Sequence, residues 1–121
     1  VYGVWKYFTV WEEQMNLERE SYCLIGTLEA WNAMCQYFGR EKMIPVYIEV
    51  EDGTRLIRAV ERERTQEHPG YEELCRRFLA DAKDFSEENL KNAGITRRFE
   101  NKDMNACLEE IKLFIQKAIL I

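Results

Sequence analysis

Apolar and polar positions along this chain follow two rhythms: short β-branched or aromatic runs, and longer stretches in which apolar residues return every three to four positions. Residues 4–10, VWKYFTV, have the composition of a strand, and residues 11–17 fit a short helix ending near the charged turn ERES. Residues 22–25 read as a second strand. Thr27 is placed to cap a helix whose Leu28, Trp31, Met34, Cys35 and Phe38 share one face, and Gly39 marks its end. Residues 43–50, MIPVYIEV, predict the central strand, with Pro45 at its start because proline cannot donate to a ladder.

Asp52 predicts the cap of the next helix. At about 100° per residue, Arg55, Arg58 and Arg62 fall in one sector of it and Leu56, Ile57 and Val60 in the adjoining one. A polar tether over residues 65–70, containing Pro69 and Gly70, leads to a helical stripe of Leu74, Cys75, Phe78, Leu79 and Ala82. Ser86, Glu87 and Glu88 open a short helix that stops near Gly94, and residues 97–100 predict a last strand. Asp103 then caps a final helix in which Cys107, Leu108, Ile111, Phe114, Ile115, Ala118 and Ile119 keep a helical period. Strands and helices in alternation imply an α/β fold with a largely parallel sheet.

Composition narrows the picture. A chain of 121 residues, 46% apolar, with three Trp and six Phe, suits one modest core and therefore one domain. Its net charge of −5 argues against nonspecific binding to nucleic acid or to an anionic membrane, which needs a basic surplus. No apolar run approaches the roughly 20 residues that cross a bilayer, and no signal-peptide pattern opens the chain, so a cytoplasmic protein is expected. The four cysteines, Cys23, Cys35, Cys75 and Cys107, have neither CxxC spacing nor a local histidine partner, so no metal site is expected. They are expected to be buried free thiols, and His68, in the tether, a solvated loop residue. Trp5, Trp11 and Trp31 are expected in the core.

The chemistry lies in the arginines. Arg55, Arg58, Arg62 and Arg64 on one helix, then Arg76 and Arg77 on the next, suit a polyanion because each guanidinium presents a planar fork of donors to phosphate oxygens. The same residues have a second reading as solvated side chains paired to Glu61, Glu63, Glu67, Glu72 and Glu73.

The order of the YG pair at Tyr2 and Gly3, the run VYIEVEDGTRLIRAVERER, the arginine site CRRFLADAKDF and the closing FENKDMNACLEEIKLFI resembles the C-terminal two thirds of guanylate kinase-like proteins. That resemblance extends over nearly the whole chain. It implies a partial P-loop nucleoside-monophosphate kinase fold, a mostly parallel sheet with flanking helices and a helical lid. In the family the tyrosine of the YG pair hydrogen-bonds the phosphate of bound GMP, and Tyr2 occupies that place. Arginines at the base and tip of the lid clamp the transferring phosphates, and Arg62 or Arg64, together with Arg77, matches those positions. The asparagine of the final VND-like strand end lies on the adenine side of the ATP site; Asn101 corresponds to it, with Arg58 assigned to the same side. Phosphoryl transfer is helped most by positioning and charge stabilisation, which arginines on a closing lid provide.

The departures are equally specific. Val4 follows the YG pair where Ser or Thr is usual, and Thr27, Glu29 and Ala30 stand where the family carries a DxQGA-like pattern, leaving Thr27 as the acceptor-side ligand. The chain contains no GxxxxGK followed by Ser or Thr, the loop that holds ATP phosphates at a helix N-terminus. With Val1 in place of an initiator methionine and YG coming at once, a domain truncated at its N-terminus is expected: residues 1–42 the acceptor-binding part, 43–64 and 86–121 the core part, 65–85 the lid. The implied activity is ATP- and Mg2+-dependent phosphoryl transfer to a nucleoside monophosphate, GMP foremost, in an intact parent. These residues alone are expected to be inactive and to hold no tightly bound cofactor. The alternative is a non-catalytic guanylate kinase-like module binding a phosphorylated or acidic protein. A homodimer through an exposed sheet edge is a further expectation.

Overall fold

The computed structural model describes residues 15–119. Along them run α1 (Leu28–Phe38), a single 3₁₀ turn (Arg40–Lys42), β1 (Tyr47–Glu49), α2 (Asp52–Arg64), α3 (Tyr71–Asp84), α4 (Glu87–Asn92), β2 (Arg98–Glu100) and α5 (Met104–Ile119). Four of the described helices start at a side-chain cap. The Thr27 hydroxyl accepts from Ala30 N at 3.2 Å to start α1, and Gly39, at φ 94°, ends it in a conformation that disfavours a side chain. Ser86 and Asp103 cap α4 and α5 through bonds from Asn89 N and from Asn105 N. The α2 cap lies one residue before the expected Asp52: the Glu51 carboxylate accepts from Gly53 N and Thr54 N, both at 2.8 Å.

The partial P-loop nucleoside-monophosphate kinase fold expected from the sequence, a mostly parallel α/β sheet with flanking helices, is not the architecture. The described residues are mostly helical, and their sheet has two strands, β1 and β2, paired in parallel as Tyr47 with Arg98, Ile48 with Phe99 and Glu49 with Glu100. Residues 22–25 form no strand, since none of the described residues pairs with them in a ladder, and Ile25 is fully exposed. Over residues 43–50 only Tyr47–Glu49 pairs, a length matched by the three residues of β2. The expected strand at 4–10 and most of the expected helix at 11–17 lie outside the described residues, as do Tyr2, Trp5 and Trp11; residues 15–17 are not helical.

Parallel strands need a long crossover, and here α2, α3 and α4 supply it. On one side of the sheet Tyr47 stacks on Phe85, ring centroids 5.9 Å apart, beside a cluster of Leu28, Leu90, Ala93 and Ile95. Trp31 closes this cluster, its indole N–H donating to Ala93 O at 3.0 Å, as expected of a core tryptophan. On the other side Phe99, 0% exposed, meets the edge of Phe114 from α5 at 5.2 Å. Helices α2 and α3 form an antiparallel hairpin: Glu63 accepts from Gly70 N at 2.9 Å at its tip, and the Arg55 guanidinium lies 4.0 Å from the centre of the Phe78 ring at its base.

The cysteines are free, but burial holds only in part. Cys107 is buried and Cys35 half-buried, whereas Cys23 and Cys75 are exposed. Cys23 sits in the segment 22–25 that forms no strand among the described residues, and on α3 only Leu74 of the expected stripe is buried, with Leu79 69% exposed. A helix packed along a single partner buries a narrower face than its apolar stripe. His68 is exposed in the turn between α2 and α3.

Candidate functional site

Because β1 and β2 are parallel, both chains leave the sheet at the same end, one into α2 and the other into α5. Crevices outside the carboxyl ends of parallel strands are where such arrangements receive ligands. Here a cleft of about 350 Å³ opens, lined by Val50, Glu51, Thr54, Glu100, Asn101 and Lys102. Asn101 is fixed by its backbone N–H, which donates to Glu49 O at 2.8 Å and carries the β1–β2 pairing one step beyond the strands. Its side-chain Oδ1 is buried and has no hydrogen-bond partner among the described residues. A buried acceptor without a donor calls for explanation, and in a cleft wall the natural one is a ligand or water that donates to it.

The charges of the cleft select among ligands. Glu51 and Glu100 contribute carboxylates and Lys102 one ammonium, which lies 3.6 Å from Glu100. Glu51 is held ionised: backbone bonds from Thr54 and Gly53, with the Thr54 hydroxyl, set its carboxyl below the usual glutamate range. Both helix N-termini beside the cleft are answered by carboxylates of the chain itself, Glu51 for α2 and Asp103 for α5. The cleft therefore offers little to a phosphate. A neutral group carrying N–H donors suits it better.

Cations lie further along α2. Thr54, Arg58 and Arg62 follow one another at four-residue steps on one side of the helix, each about 6 Å beyond the last. Arg58, assigned from the sequence to the ATP side with Asn101, is brought against it: its guanidinium donates to Asn101 O at 3.0 Å and Lys102 O at 3.2 Å. Arg62, one turn on, is exposed and forms no side-chain hydrogen bond or ion pair among the described residues. Arg64 is equally unpaired, but two residues turn a helix by about 200°, so it points away from the Arg62 side. Arg77 is exposed and adjoins Phe78 at the Arg55 end of the hairpin. Its charge, secondary to a hydrogen bond from Arg76, helps keep the Glu73 carboxyl below its usual range.

The other arginines of this region have structural partners. Arg55 lies over Phe78 and near Asp52, Arg76 pairs with Glu73, and Arg98 is bonded to Glu49 at 2.7 Å and to Glu87 at 2.8 Å. Of the carboxylates expected to neutralise the hairpin arginines, Glu73 does so, whereas Glu63 is turned to the backbone of Gly70. Thr27 is not part of the cleft; its hydroxyl caps α1. Tyr2 lies outside the described residues. Glu51, Thr54, Glu100 and Lys102 were not picked out from sequence, although the rule that ligands gather at strand carboxyl ends points to the residues after each strand.

No family model, curated protein or solved structure matches the chain. No described helix is long and apolar enough to cross a membrane.

Proposed function

We propose that this chain handles nucleotides as part of a guanylate kinase-like phosphotransferase, with Arg62 and Arg77 on phosphoryl groups and the Asn101 cleft on the base of ATP. The observation that carries this reading is the division of labour among arginines. Arg55, Arg58 and Arg76 are engaged by the fold, while Arg62, Arg64 and Arg77 stand exposed without ion pairs among the described residues. Unpaired guanidiniums on a two-helix projection are suited to gather a polyanion. The buried, unpartnered Asn101 acceptor beside an acidic rim suits the exocyclic amine of a base. The acceptor is a nucleoside monophosphate, GMP foremost, and ATP with Mg2+ is the donor in an intact enzyme. The 121 residues lack the glycine-rich loop and lysine that grip donor phosphates, so alone they bind without useful turnover.

Titration of the chain with GMP, inorganic phosphate and an acidic phosphopeptide tests this reading. Preference for GMP, lost on Arg62→Ala and Arg77→Ala, supports it. Preference for the phosphopeptide sinks it in favour of a non-catalytic module, and rapid ADP formation from GMP and ATP would refute the claim that these residues alone are inactive. A homodimer through the sheet edges that no strand covers among the described residues, and a cytoplasmic location, where four free thiols stay reduced, complete the proposal. Light scattering at several concentrations gives the mass that decides the former.

A further inference from the structure

We propose that Arg58 is a positioning residue for Asn101, holding that side chain in place in the cleft without itself contacting the ligand. The inference rests on the reading of the cleft as the base side of a nucleotide site. Asn101 follows directly on β2, where the ladder ends and a backbone carbonyl has no further strand to meet. Arg58, 43 residues earlier in the chain, reaches across from α2 and donates to two successive carbonyls, Asn101 O and Lys102 O. With the Asn101 N–H on Glu49 O, the peptide groups on both sides of the Asn101 Cα are tied, one to β1 and one to α2. The Cα–Cβ direction is then set, and the side chain keeps only its own torsions. That restraint matters because Oδ1 is buried without a partner, so the described residues offer it no competing bond that would hold it.

The guanidinium is suited to this task. Its rigid fork spans two acceptors at once, where a lysine ammonium would act as a single point charge on a flexible stem. Charge-assisted bonds to backbone carbonyls are also stronger than neutral ones. Arg58 further connects the cleft to the phosphate side. It shares α2 with Arg62 one turn on, so a shift of that helix displaces the Asn101 and Lys102 carbonyls with it.

The test uses the 15N-labelled chain, ATP as the probe, and the variants Arg58→Ala, Arg58→Lys, Asn101→Ala and the Arg58→Ala/Asn101→Ala double. Without ATP, the backbone order parameters at Asn101 and Lys102 should fall in Arg58→Ala from the rigid range of about 0.85 toward 0.6. With ATP, Asn101→Ala should weaken binding on the order of tenfold, about the loss of one buried hydrogen bond. Arg58→Ala should weaken it comparably in the native background and less than about twofold when Asn101 is already Ala, since coupled residues are not additive. Arg58→Lys should lie between, and it provides the comparison should Arg58→Ala not fold. A full Arg58 effect in the Asn101→Ala background would mean that Arg58 touches ATP and would overturn the proposal. Wild-type Asn101 resonances that ignore ATP overturn the cleft reading and this inference with it. A wild type that responds, with order and affinity unchanged in both Arg58 variants, overturns the positioning role alone.

Discussion

Single side chains in this protein do work that their residue type suggests only in context. Glu51 is a capping carboxylate whose ionised form is favoured by three donors, two of them backbone amides of the α2 first turn. Its folded pKa lies below the ordinary glutamate value of 4.5, so its contribution to stability is complete above that pH and disappears as pH falls through the lowered value. Thermal midpoints of the chain and of Glu51→Gln should therefore differ at pH 7 and converge in acid; a constant gap would contradict the capping role. The thiols differ in the same environment-dependent way. Burial pushes the Cys35 thiol up despite the nearby Arg40 charge, and Cys107 is shut in the core, while Cys23 and Cys75 face solvent. Alkylation followed by mass spectrometry should modify Cys23 and Cys75 first, Cys35 slowly and Cys107 only after unfolding.

Elements were the most legible level of the sequence, because caps and periodicity are local. Thr27 and Gly39 bracket α1, Ser86 opens α4 and Asp103 opens α5 where their side chains and backbone freedom predict. Thr27→Ala should cost about 1 kcal/mol in chemical denaturation, the usual value of such a cap. Gly94 closes the α4 segment at φ 74°, and although a Cβ there would meet nothing, Gly94→Ala should cost about 1–2 kcal/mol for the left-handed backbone alone. The hairpin supports a functional contrast. Arg62 lies on the Arg58 side of α2 and Arg64 on the opposite side, so Arg62→Ala should weaken GMP binding severalfold while Arg64→Ala should change it little. Equal losses in a calorimetric titration would show that the ligand does not lie on the Arg62 side of α2. The site itself was legible only in pieces. Asn101 and Arg58 could be singled out, but they stand 43 positions apart and no local rule joins the two.

At the scale of the molecule, the described residues bury few side chains: Leu28, Leu74, Leu90, Ala93, Ile95, Phe99 and Cys107. Phe99 is central, since it stands on the paired strand and against α5 at once. Phe99→Ala should cost about 3–5 kcal/mol, a large share of what a domain of this size has, and should appear as loss of the cooperative thermal transition.

The chain's own order of residues determined where helices begin and end and which residues could carry positive charge to a ligand, because capping, helical period and side-chain chemistry act within a few positions. Only the tertiary structure decided how many strands pair, which apolar stripes are buried and which arginines remain unpaired. Each of those outcomes depends on a partner distant in sequence: β1 needs β2 to be a strand, Phe78 lies under Arg55, and the Asn101 carbonyl takes the Arg58 guanidinium away from solvent.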